Sequence, residues 1–288
     1  MAKALVLLYT LAGRLGADSS GRMEIDCNGE GALFVVARAD DITIEEIKDF
    51  FQTWSAFSRE GDRAAVELPC HDRNLLRARS PPIIHPDALS MFLPKLAFSD
   101  PSGPITTQFF SISKDQVTSL KRRCSGASTF CVVSALLWRC VCAARRLSSD
   151  VEARLTISAD IRRRVTPPLP KRYFGNALVR VGVAATVRDV TASEALASVA
   201  GRIGGVIRRI DYEMVRSAID YFQAVETSGH WAATGTRPET ELHVTSWLGM
   251  PIYDADFGWG KPLGGISVLM SMEATNVKEL ERLLYEAL

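Results

Sequence analysis

The stretch that decides the fold reads Thr245-Ser246-Trp247 and then Asp254-Ala255-Asp256-Phe257-Gly258-Trp259-Gly260-Lys261-Pro262. In its second part, two aromatics and two glycines, Phe257, Gly258, Trp259 and Gly260, follow directly on the carboxylate of Asp256. Glycine permits the backbone angles of a tight bend, and an aspartate at such a bend accepts hydrogen bonds from its own turn. The plain reading is a structural loop. Strands flank it, Leu242 to Leu248 before and Ile266 to Met272 after, and Val277, Leu280, Leu283 and Leu284 mark a closing helix.

Working outward, Leu196, Val199, Ile203, Val206 and Ile210 recur at the spacing of one helix face, and Ala177 to Ala185 reads as a strand. Leu155 and Ile157 mark another strand, followed by the basic run Arg162-Arg163-Arg164. That run reads as a solvated surface or, more sharply, as a contact for a phosphate-bearing cofactor. Phe130 to Arg146 is a mostly apolar helix holding Cys131, Cys140 and Cys142, where a thiol serves as a small buried hydrophobe. Ser113-x-x-Gln116 caps a helix after a strand over 105–112. Seven of the thirteen prolines fall between Pro69 and Pro104, which marks a connector. Before it, Thr43-x-x-Glu46 opens a helix with Ile44, Ile47, Phe50, Phe51, Trp54 and Phe57 on one face. Residues 4–15 read as helical, and Asn28-Gly29 as a hairpin turn between Met23–Cys27 and Ala32–Ala37.

The whole chain has 288 residues, 47% of them hydrophobic and 23% charged, with 34 basic and 33 acidic side chains and a net charge of +1. No basic excess exists to neutralise phosphates, which argues against nucleic acid as a partner. No run reaches the roughly 18 uninterrupted apolar residues of a membrane span. Met1-Ala2-Lys3 before Ala4 to Leu8 has the outline of a signal peptide, but Tyr9, Thr10 and Arg14 interrupt it, so a cytoplasmic, reducing setting is expected. Walker A, G-x-G-x-x-G, G-x-S-x-G, H-E-x-x-H and C-x-x-C patterns are missing, so neither a metal nor a resident cofactor is expected.

Asp256-Phe257-Gly258-Trp259-Gly260 resembles the signature of the plant BAHD acyltransferases. Tyr9-Thr10-Leu11-Ala12-Gly13-Arg14-Leu15 resembles a segment of the same family, with Thr10 where proline is usual. Ile25-Asp26-Cys27-Asn28 with Gly31, Asp72-Arg73 with Leu75-Leu76-Arg77-Ala78-Arg79, and Trp138-Arg139-Cys140 with Ala144-Arg145 extend the likeness. Asp160-Ile161-Arg162 and Tyr173-Phe174-Gly175-Asn176 complete it, so it covers nearly the whole chain. The grouping is similar to hydroxycinnamoyltransferases, among them enzymes that acylate amines such as putrescine or agmatine.

The resemblance implies an α/β, two-domain chloramphenicol-acetyltransferase-like fold with mixed sheets flanked by helices, in shortened form. It implies an N-terminal domain over 1–80, a crossover linker over 81–104 and a C-terminal domain over 105–288. It implies a monomer that moves a hydroxycinnamoyl group from acyl-CoA, a co-substrate, to an amine or hydroxyl acceptor. Tyr173, Gly175 and Asn176 would shape the acyl-CoA side and Thr245 and Trp247 the acceptor side. Asp256, Phe257, Gly258, Trp259 and Gly260 would be structural.

The family's base is the histidine of a His-x-x-x-Asp motif. Here His71, His85, His230 and His243 are followed four residues on by Leu75, Leu89, Thr234 and Trp247, so the motif is missing. The resemblance breaks near 46–50, where a block holding that histidine is expected to be lost, and again between Pro262 and Ile266. His243, alternating with Thr245 and Trp247, is the best surviving substitute base. A diamine's distal ammonium would want a carboxylate, which Glu239 or Glu241 could supply; the plain alternative is two exposed glutamates at the start of a strand. Two readings follow: an acyl-CoA-dependent acyltransferase, or a non-catalytic remnant that binds acyl-CoA or a partner.

Overall fold

A computed structural model of the protein describes residues 14–17, 23–26, 44–65, 67–87, 103–227, 238–249, 255–258 and 265–288. Two units emerge, one holding 1–77, 166–177 and 249–263, the other 78–165, 178–248 and 264–288. Their limits cross the boundaries drawn from sequence, because 166–177 and 249–263 group with the first 77 residues.

In the first unit, β1 (Arg14–Ala17) pairs antiparallel with β2 (Met23–Asp26), with Arg14 opposite Asp26 and Ala17 opposite Met23. Arg14 and Leu15 are therefore extended, not the end of a helix over 4–15. Gly16 disfavours a helical last turn there, and pairing with β2 gives the strand its backbone partners. The Asn28-Gly29 turn and the stretch 32–37 lie outside the described residues. Helix α1 (Ile44–Glu60) follows. Phe50, Phe51 and Trp54 cluster along it, with ring centroids 5.7 to 6.1 Å apart. Its apolar face is only half covered: Phe51, Trp54 and Phe57 are half-buried, whereas Thr53 and Ser55 are buried.

The second unit holds two sheets. β3 (Ile105–Ile112) pairs antiparallel with β7 (Ile266–Glu273) along its full length. β4 (Glu152–Asp160) lies between β5 (Leu178–Thr186), antiparallel to it, and β6 (Glu241–Val244), parallel to it. Helix α2 (Lys114–Arg123) starts at a complete capping box: Gln116 N–H donates to Ser113 Oγ at 3.2 Å, and Ser113 N–H to Gln116 Oε1 at 2.8 Å. Helix α3 (Thr129–Ala144) is buried along nearly all its length, as its composition requires, and Ser128 caps it. α3 packs against α2, β6, α4 (Leu196–Arg208) and α6 (Val277–Ala287); α4 also covers β5. Ala153, Leu155, Ile157, Val179, Val181, Val183 and Leu242 are buried on one face of the three-stranded sheet. Helix α5 (Tyr212–Thr227) is an addition to the sequence reading; Asp211 starts it by accepting the Met214 N–H at 2.9 Å. Among the described residues, no helix is long and apolar enough to cross a membrane.

Candidate functional site

Strand alternation gives the β5-β4-β6 sheet a second face, opposite the helices. The register sets Arg154 opposite Glu241 and Thr156 opposite both His243 and Gly182. Arg154, Thr156, Ser158 and Asp160 of β4 thus share this face with Arg180 and Gly182 of β5 and with Glu241 and His243 of β6. It is a polar strip. His243 Nε2 and Ser158 Oγ share a hydrogen bond at 3.1 Å, and Ser158 Oγ reaches Thr245 Oγ1 at 3.4 Å. His243 and Thr245 are brought together through a serine that the sequence reading passed over. A contact between residues 85 positions apart leaves no local signal; the polar residue alternating with Leu155 and Ile157 was the available clue.

The strand expected to run to Leu248 ends at Val244. Leu248 N–H instead donates to Ser246 Oγ at 3.3 Å, a local bond that competes with the ladder. Thr245 is exposed, and Trp247, past the end of strand alternation, is 50% exposed. Glu239 is exposed, but Glu241 is buried, so the picture of two exposed glutamates holds only for the first.

The basic run is no solvated patch. Arg162 is buried and donates from its N–H and Nη1 to Asp160 Oδ1, both at 3.0 Å. Arg164 Nη1 donates to the carbonyls of Ile207 and Ile210 at 3.1 and 2.6 Å, closing the C-terminal end of α4. Only Arg163 of the three is exposed, and the reading of the run as a phosphate contact loses two of its cations to protein groups.

Tyr173, Gly175 and Asn176 belong to the first unit. Cys70 N–H donates to Arg172 O at 2.8 Å and Phe174 N–H to Cys70 O at 2.9 Å, which holds the segment in an isolated parallel bridge. Tyr173 and Gly175 are buried and Asn176 is exposed. The Arg73 guanidinium donates to Phe174 O and lies 5.8 Å from the centre of the Tyr173 ring. A Cβ at position 175 would meet that guanidinium, the far end of the flexible Arg73 side chain, which would have to shift. In the same unit, Gly258 N–H donates to Asp256 Oδ1 at 2.7 Å, with Gly258 at φ +99°. This is the self-satisfied turn that an aspartate followed by glycine permits. Phe257 meets Trp54 edge-on at 5.2 Å, and Arg59 donates to Asp256 O. Trp259 and Gly260 lie outside the described residues.

Comparison with known proteins decides the family. A family model described as the transferase family matches residues 1–53 and 44–278. The chain belongs to the BAHD acyltransferases. By membership this BAHD protein is an acyltransferase of the class that moves groups other than amino-acyl groups. It is 35% identical to putrescine hydroxycinnamoyltransferase 1 of Oryza sativa subsp. japonica, over 91% of this chain and 75% of that protein. It is 32% identical to a hydroxycinnamoyltransferase of Narcissus pseudonarcissus, over 99% of this chain and 86% of that protein. The second alignment runs over 378 positions against 288 residues, so the BAHD relative carries sequence inside the matched span that this chain lacks.

Among solved structures, vinorine synthase matches with a TM-score of 0.65 at 18% identity, over 99% of this chain and 83% of its own. F. graminearum TRI101, complexed with coenzyme A and T-2 mycotoxin, matches with a TM-score of 0.68 at 16% identity, over 84% of this chain. The chain spans 62% of the TRI101 structure. These likenesses establish the BAHD-type α/β fold with mixed sheets flanked by helices.

Proposed function

We propose that this BAHD protein transfers a hydroxycinnamoyl group from coenzyme A to an amine of the putrescine type, acting as a cytoplasmic monomer. The observation that carries the reading is the 35% identity to a putrescine hydroxycinnamoyltransferase over 91% of the chain. The coenzyme A named with TRI101 supports acyl-CoA as the co-substrate. On this reading Tyr173, Gly175 and Asn176 shape the acyl-CoA side, Thr245 and Trp247 the acceptor side, and the loop from Asp256 to Gly260 is structural. The amine nitrogen attacks the thioester carbonyl, the C–N bond forms and the C–S bond breaks. CoA leaves as thiolate, and the surplus ammonium proton passes to water or to His243. An unprotonated amine is already a nucleophile, so positioning alone sustains slow turnover. Loss of the His-x-x-x-Asp base lowers the rate by about 10²–10⁴-fold relative to a complete relative.

A second reading, a remnant that binds acyl-CoA or a partner without turnover, is favoured by one specific observation. The family model matches in two segments that meet within 44–53, where the motif-bearing block is expected to be lost. Incubating purified protein with p-coumaroyl-CoA and putrescine and following the amide by mass separates the two. Amide above a no-protein control supports the transferase; CoA binding without amide supports the remnant. In active protein, unchanged turnover of His243→Ala removes His243 as the base.

A further inference from the structure

The polar strip contains a carboxylate with nothing to hold. Glu241 is 5% exposed, and neither side-chain oxygen has a hydrogen-bond partner among the described residues. Thr156, 2% exposed on the same face, leaves its hydroxyl equally unpartnered. Among the described residues, Arg154 and Arg145 flank the Glu241 backbone, and both are committed elsewhere. Arg154, the register partner of Glu241, lies along Gly182, where an added Cβ would meet its Nη1 at 3.4 Å, and its Nη2 approaches Glu152 Oε1 at 3.4 Å. Arg145 donates to both oxygens of Glu273, at 3.0 and 2.9 Å, and to the backbone carbonyls of Glu239 and Glu241, at 2.6 and 3.2 Å. It thus grips the peptide of Glu241 and leaves the carboxylate alone. A buried carboxylate without a partner is unfavourable, and a group that persists in that state asks for a donor from outside the fold.

We propose that Glu241 and Thr156 form the recognition site for an alkylammonium group. An ammonium brings three donors and one positive charge; Glu241 Oε1 and Oε2 take two donors and Thr156 Oγ the third. On the reading of an amine acceptor, on which this inference rests, the bound group is the distal ammonium of a diamine whose other nitrogen is acylated. His243, Ser158 and Thr245 continue the strip towards the acceptor side.

The test is equilibrium binding of putrescine to the full chain by calorimetry, with no acyl-CoA present, using neutral 1,4-butanediol as the shape control. Wild type and Glu239→Gln bind putrescine alike and do not bind the diol. Glu241→Gln weakens putrescine binding by at least about tenfold, and Thr156→Val by about threefold to tenfold. Because Gln keeps the shape and removes the buried charge, Glu241→Gln unfolds cooperatively at or above the wild-type midpoint, and putrescine no longer raises that midpoint. Equal putrescine affinity in wild type and a cooperatively folded Glu241→Gln overturns the site, as does equal binding of the diol or no binding by wild type. Amide formation that ignores Glu241 removes this site and spares the transferase reading. Glu241-dependent putrescine binding without amide does the reverse.

Discussion

Asp220 shows how one side chain orders a proline-rich segment. It is fully buried on α5 and accepts three hydrogen bonds: from Arg79 N–H at 2.8 Å, Arg79 Nε at 2.7 Å and Ile83 N–H at 3.0 Å. Arg79 also reaches Glu213 at 3.1 Å, and His85 N–H donates to Ser217 Oγ at 2.6 Å, so residues 79–85 are strapped along one helix. Burial pushes the Asp220 carboxyl up, but the Ile83 and Arg79 N–H groups and the Arg79 guanidinium outweigh it and hold it below the ordinary aspartate value. A depressed carboxyl stabilises the fold above its unfolded value, about 3.9, and that contribution is lost as pH falls through the folded value. Asp220→Asn should destabilise the protein by about 1–3 kcal/mol near neutrality. The gap from wild type in urea midpoint should narrow as pH falls below about 4; a gap independent of pH would refute the assignment. The buried thiols make a second residue-scale case. Burial pushes Cys140 and Cys142 up to about 11, so at pH 8 roughly one in a thousand is thiolate. Iodoacetamide on native protein should modify half-buried Cys70 and spare both, as read by peptide mass mapping; rapid labelling of Cys140 would contradict their packing.

At the scale of elements, Arg145 ties the end of α3 to β7 and β6. Its two parallel bonds to Glu273 lie in a nearly dry setting; burial pushes the Glu273 carboxyl up, but Arg145, the Glu273 backbone N–H and the Asn276 side chain together outweigh it and leave it below the ordinary value. Arg145→Met strands that carboxylate and frees two carbonyls, a change expected to remove about 3–5 kcal/mol from unfolding stability. Arg145→Lys should recover only part, because a point charge cannot make the paired bonds. Chemical denaturation checks both, and a Lys variant equal to wild type would show that charge alone matters. Elements governed by local chemistry were legible in the sequence. Ser113-x-x-Gln116 spelled its own cap, and the apolar run from Phe130 became a buried helix. α5 was legible in principle, since Asp211 followed by Met214, Val215 and Ala218 carries a cap and a face. Long-range pairing was not: the sequence contains nothing that places Ser158 beside His243, ends β6 at Val244, or buries Glu241 while leaving Glu239 in water. The family loop was readable because its turn is self-contained, with Asp256 bonded two residues along to Gly258.

At the scale of the whole molecule, missing sequence leaves surface where relatives have more chain. The 378-position alignment against 288 residues places that loss inside the matched span. The β3–β7 sheet exposes apolar surface of its own. Among the described residues it has two strands, so each keeps an unpaired edge. Its exposed face carries Phe109 directly opposite Leu269, at 69% and 57% exposure, with Ile105 at the far end of the same face. Thr107 and Ser271 share a 2.8 Å hydrogen bond on the same face, so the backbone register is held without the apolar pair. A paired Phe and Leu in water beside open strand edges is a nucleus for non-specific association rather than a source of stability. Replacing both by threonine keeps strand preference and removes the apolar contact. Phe109→Thr with Leu269→Thr should therefore leave the unfolding midpoint within about 0.5 kcal/mol of wild type. The same pair should lower the rise of light scattering with protein concentration. Scattering that climbs as steeply in the double variant would place the association elsewhere, and a large loss of stability would mean that the pair is buried in solution.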